Sequence, residues 1–188
     1  MENNENDIEK DEGMIAYEQG DFKLAAACWR RMAAKNKAQA MFNLAVLYTN
    51  GQGVEKDEEQ ARTWCVHAAQ AGLVEAQHHL GLVYQQEQNW QQAVYWWEQA
   101  AKAGNAESQN NLAWAYHMGY GVTQNNETAA DWFEMAARQN HADACFNLGV
   151  LYANGQRFQH ARYWWQKAEK LQHQAAVDAL NKLTELGV

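Results

Sequence analysis

The apolar residues of this chain fall into two alternating helical patterns. The first, Ala-x-x-x-Leu-x-x-x-Tyr, occurs at Ala40, Leu44 and Tyr48, at Ala76, Leu80 and Tyr84, at Ser108, Leu112 and Tyr116, and at Ala144, Leu148 and Tyr152. The second reads Ala-x-x-aromatic, then an aromatic or Cys, then x-x-Ala. It starts at Ala61, Ala93, Ala129 and Ala161, with a looser copy at Ala25 that holds Cys28, Trp29 and Met32. Spacings of i, i+3 and i+4 set each group on one face of an amphipathic helix. The chain thus reads as repeats of a helix A, marked by Leu and Tyr, followed by a helix B, marked by Trp and Ala.

Successive helix-A patterns lie 36, 32 and 36 residues apart, which implies a two-repeat period of 68. Gly51, Gly53 and Val54 return as Gly119, Gly121 and Val122; Gly81 returns as Gly149; Phe22 returns as Trp90 and Phe158. The difference in length sits between the two helices. In the long repeats, glycine is predicted to end helix A in a left-handed conformation, and Asp57 or Asn125 to cap helix B. The short repeats turn through 20–22, 88–90 and 156–158. The residue after the helix-A Leu is always small (Ala45, Gly81, Ala113, Gly149), so that the rings of helix B can approach. Residues 1–6 read as a loose tail and 7–37 as a degenerate first repeat. Repeats follow at 38–73, 74–105, 106–141 and 142–173. Residues 174–188 read as a C-terminal capping helix with Leu180, Leu183 and Leu186 apolar.

Composition narrows the function classes. The chain has 188 residues, no Pro and a formal charge of −8. Neither a basic stripe for nucleic acid nor one for an anionic membrane is visible. No apolar run is long enough to span a bilayer, so no membrane insertion is expected. The stretch Met1–Asp7 has no signal-peptide character, and a cytoplasmic location is expected. Cys28, Cys65 and Cys145 fall at apolar helix positions and read as buried thiols. No metal-ligand spacing, nucleophile–base pair or phosphate loop is found, so no metal, cofactor or enzymatic activity is expected. The recurring acids Glu75, Glu107 and Asp143 start helix A, where they meet the helix dipole.

Tyr-x-x-Gly-x-Gly-Val at Tyr48–Val54 and at Tyr116–Val122, each followed by Ala-x-x-Trp and Ala-Ala, resembles the Sel-one-like repeat (SLR) family, a relative of the tetratricopeptide repeat (TPR). The resemblance covers 38–173 well and 13–37 loosely; the short repeats look closer to TPR. It implies an all-α, right-handed superhelical solenoid of antiparallel helix pairs, with about five repeats and helix A lining the concave side. It also implies a bacterial-style adaptor or scaffold that binds a protein or peptide.

Carried over from TPR, the groove holds Phe42, Val46, Leu82, Trp114, Phe146 and Val150 at its middle. Asn50, His78, Gln85, Gln86, Asn110, His117, Met118 and Asn154 surround them, and Asn43, Asn111 and Asn147 share a row with His79. Side-chain amides suit an extended peptide backbone, and rings suit its apolar side chains. The structural alternative is that the Asn row bonds across repeats and that the rings pack on neighbouring helices. TPR domains that clasp a peptide carboxylate add Lys and Arg near such Asn residues, and those cations are missing here. Two other readings stand beside the adaptor: a small-ligand binder or weak hydrolase, as proposed for secreted SLR relatives, and self-association through aromatic-rich edges.

Overall fold

A computed structural model describes residues 12–188, and every described secondary-structure element is a helix. The expected tail at 1–6 and the start of the first repeat lie outside the described residues. Helix α1 covers 12–18, followed by α2 (Phe22–Ala34), α3 (Ala38–Asn50), α4 (Glu58–Gln70), α5 (Val74–Gln86), α6 (Trp90–Lys102), α7 (Ala106–Met118), α8 (Asn126–Arg138), α9 (Ala142–Asn154), α10 (Phe158–Lys170) and α11 (Gln174–Glu185). Odd-numbered helices are the A helices and even-numbered ones the B helices. The chain forms two compact units that divide within α5, between Leu80 and Gly81.

Turn chemistry makes the repeats regular. Each turn from helix B to helix A has a left-handed residue at one repeat position: Asn36, Gly72, Gly104, Asn140 and Gln172, with φ between 60° and 94°. The A-to-B turns use Gly20, Gln88 and Gln156 in the short repeats and two glycines in the long ones. Gly51 (φ 67°) and Gly119 (φ 76°) end α3 and α7 as predicted. Asp57 accepts from the Glu59 and Gln60 amides, and Asn125 from those of Glu127 and Thr128, also as predicted.

The core follows the alternation of the repeats. In unit one, Ala25, Ala40, Leu44 and Ala68 are buried; in unit two, Leu112, Leu148, Trp97, Phe133 and Ala168 are. A β-carbon at Gly81 would fall 2.2 Å from Trp97, and one at Gly149 would fall 2.4 Å from Trp165. Gly13 sits likewise at 2.5 Å from Trp29, so the first helix pair keeps the seat of the short repeats. Where the equivalent helix-B residue is Cys65 or Phe133, the seat is Ala45 or Ala113. The second glycine of each long loop lies against the start of the preceding helix B. A β-carbon at Gly53 would meet the Phe22 carbonyl at 2.3 Å, and one at Gly121 the Trp90 carbonyl at 2.5 Å. A long loop therefore folds over the short turn of the repeat before it.

Helix α11 lies in helix-A register, with Ala176 buried, but it carries Asn181 and Thr184 where the repeats carry a small residue and Tyr. Leu183 is buried as expected. Leu186 is not: it lies just past the helix and is 73% exposed.

Candidate functional site

The expected binding residues lie on A helices, away from the seats that receive the helix-B rings. In unit one, Phe42, Asn43 and Val46 of α3 are half-buried, as is His78 of α5; Asn50, the last residue of α3, is exposed. Asn43 accepts from Gln39 at 3.1 Å and turns its amide toward the Met14 sulfur at 3.9 Å. Asn50 donates to the Gln52 side chain at 3.2 Å. Phe42 meets the His79 ring edge-on, centroids 6.1 Å apart. His79 is exposed as a residue, yet partial desolvation of its ring lowers the imidazole pKa below the usual 6.5.

In unit two, Leu82 and Gln85 of α5, Asn110, Asn111, Trp114 and His117 of α7, and Phe146, Asn147 and Val150 of α9 are all half-buried. Asn147 Nδ2 donates to Asn110 Oδ1 at 3.1 Å, so α7 and α9 run side by side here. Asn110 and Trp114 share a face of α7 at i, i+4, and Asn147 and Val150 share one of α9 at i, i+3. His117 Nδ1 lies 2.8 Å from Asn126 Oδ1.

The rings Phe42, Trp114 and Phe146 do not form an exposed stripe. Trp114 packs on Trp90 and Tyr120, whose own rings stack at 4.6 Å. Phe146 stacks on His173 at 4.5 Å, and its carbonyl accepts from the Trp165 indole at 3.1 Å. Each ring has a partner supplied by a turn or a neighbouring helix, and each is half-buried. The large apolar side chains that are exposed include Tyr95, Met135 and Tyr163 on B helices.

Other candidate chemistry resolves into structure. Glu107 Oε2 lies 3.0 Å from His141 Nε2, and Asp143 Oδ1 lies 3.2 Å from His173 Nε2, so two of the recurring acids pair with the residue that opens the next helix A. His141 also accepts from the Ala144 amide through Nδ1. The buried Gln77 and Gln109, which the sequence pattern did not single out, donate to Ala69 and Ala101 carbonyls at the end of the preceding helix B. Burial pushes the Cys65 thiol up to about 12 against the opposing charge of Arg62, and raises Cys145 against Lys167 and a backbone hydrogen bond. Protonated thiols make poor nucleophiles. Among the described residues, no group of three or more His, Cys, Asp or Glu is placed to hold a metal ion. No described helix is long and apolar enough to cross a membrane.

A cleft of about 460 Å³ opens beside this face in unit two. Of the expected residues, His117 and Asn154 line it. Glu127, Asp131, Tyr152 and Arg157 also line it.

The Sel1 repeat model matches residues 38–73, 74–105, 106–141 and 142–173. The crystal structure of c5321, a protective antigen of uropathogenic Escherichia coli with an SLR fold, superposes with a TM-score of 0.89 at 25% identity, covering 97% of this chain and 42% of that one. The chain thus spans less than half of that antigen. A Sel1 repeat protein from Oxalobacter formigenes superposes at 0.72 and 26% identity, covering 95% of this chain and 76% of that one. YrrB, a TPR protein with an unusual peptide-binding site, shares the fold at 0.57 and 20% identity, covering 89% and 87%. No curated protein matches the chain.

Proposed function

Because the chain belongs to the Sel1 repeat family, we propose that it is a non-catalytic adaptor or scaffold that holds a partner protein or peptide on its helix-A face. SLR and TPR folds serve generally as protein-interaction scaffolds, and the family is typically non-catalytic. The observation that carries the proposal is the Asn110–Asn147 pair, with Trp114 and Val150 half-exposed on the same two helix faces. One hydrogen bond joins the amides. The second Asn147 donor, its carbonyl oxygen and the Asn110 amino group remain to meet the alternating donors and acceptors of an extended chain. The flanking indole and isopropyl groups supply apolar contact at low entropic cost.

Site-specific photo-cross-linking tests this. A benzoylphenylalanine at Asn111 or Val150 is expected to capture one partner from extract, and the same probe at exposed Gln166 of α10 is not. Equal capture of that partner from Gln166, or none from the helix-A positions, contradicts the proposal.

A further inference from the structure

We infer that the cleft between α8 and the end of α9 is a pocket for a lysine or arginine side chain of the bound partner, an inference that rests on the peptide-binding reading above. Its floor is apolar, formed by Ala130, Leu151 and the Tyr152 ring. One wall carries Glu127 and Asp131, one helical turn apart on the same face of α8. At about 460 Å³ the space falls within the range of small-ligand pockets and accommodates a long basic side chain.

Three observations separate these carboxylates from ordinary surface acids. First, the other helical acids of this region are mostly engaged: Glu98 with Lys102, Glu134 with Arg138, Glu107 with His141 and Asp143 with His173. Glu127 and Asp131 have no such partner among the described residues. Second, the repeat frame does not require them. The positions equivalent to Glu127 hold Glu59, Gln91 and Gln159, and those equivalent to Asp131 hold Thr63, Tyr95 and Tyr163. Only this repeat places acids at both. Third, the helix dipole accounts for Glu127 in the first turn, but its effect has faded at Asp131.

The opposite wall supports the same occupant. Arg157 could have closed the cleft by pairing with these acids. Its guanidinium instead lies over the Tyr152 ring, 4.6 Å from the centroid, with one nitrogen 3.2 Å from His160 Nε2. It thus leaves the carboxylates free and offers its remaining N–H groups to a backbone carbonyl. A basic residue in an extended segment satisfies both walls. Its aliphatic stem covers the floor, its cation meets Glu127 and Asp131, and its carbonyl accepts from Arg157.

The test is an NMR titration of the full chain with acetyl-Gly-Arg-Gly-amide and with the neutral isostere acetyl-Gly-citrulline-Gly-amide. The arginine peptide is expected to shift the backbone resonances of 126–131 and 152–157. The citrulline peptide, and the arginine peptide against a Glu127→Gln, Asp131→Asn double variant, should bind about fivefold more weakly, as solvent-open ion pairs predict. Equal effects of the two peptides, or arginine-induced shifts located elsewhere, overturn the inference. Variants at Asn110 or Asn147, which do not line the cleft, that abolish partner capture should leave this titration unchanged, so failure of the pocket and failure of the partner-binding reading are distinguishable.

Discussion

Gly149 faces the Trp165 indole with no room for a methyl group, whereas the equivalent Ala113 belongs to a repeat that carries Phe133. Gly149→Ala is therefore expected to destabilise the fold by about 1–3 kcal/mol through overpacking. Adding Trp165→Phe should return part of that loss, although the indole bond to the Phe146 carbonyl goes with it. Urea unfolding of the two single variants and the double variant measures the coupling; strict additivity would show that ring and glycine are not seated on each other. His79 offers a second check. Its lowered pKa means that the folded chain takes up its proton later than the unfolded chain as pH falls. Its contribution to stability is thus largest above 6.5 and declines as pH drops from 6.5 toward the folded-state value. NMR titration should place the His79 midpoint below 6.5. Removal of the ring in Phe42→Ala should move His79 back toward its ordinary value.

Helices are bounded here by local chemistry, and the strength of each boundary differs. Asn125 accepts two amide hydrogen bonds at the start of α8, so Asn125→Ala should cost about 1 kcal/mol. Gly121→Ala should cost more, because it adds left-handed strain (φ 71°) to a clash with the Trp90 carbonyl. Thermal unfolding of both variants ranks them, and a milder effect for Gly121→Ala would refute the loop-over-turn packing. These elements were legible in the sequence because period, glycine and cap coincide in one frame. Leu186 was misread because its spacing continues the Leu180–Leu183 series, although the helix closes before it and nothing covers it. The ring partners of Trp114 were also hidden. Tyr120 reaches it from a loop and Trp90 from another repeat, and helical spacing within α7 reports neither.

For the chain as a whole, the three thiols offer a simple measure of integrity. Cys28, Cys65 and Cys145 are buried and no more than 4% exposed, and burial pushes the Cys65 thiol up to about 12. Reaction with a disulfide reagent at neutral pH should follow the unfolding rate; prompt labelling of the native protein would contradict the burial. The repeat frame was readable from one sequence because every repeat restates it. The proposed binding surface was readable only in outline, because residues that depart from the frame, such as Asp131 where other repeats hold Thr or Tyr, follow no period. The most direct measurement is a crystal structure of the chain with the partner it captures. Partner backbone should lie within hydrogen-bond distance of Asn110 and Asn147, alongside Trp114 and Val150. A partner seated wholly on B helices, with the Asn110–Asn147 pair facing only water, would contradict the account.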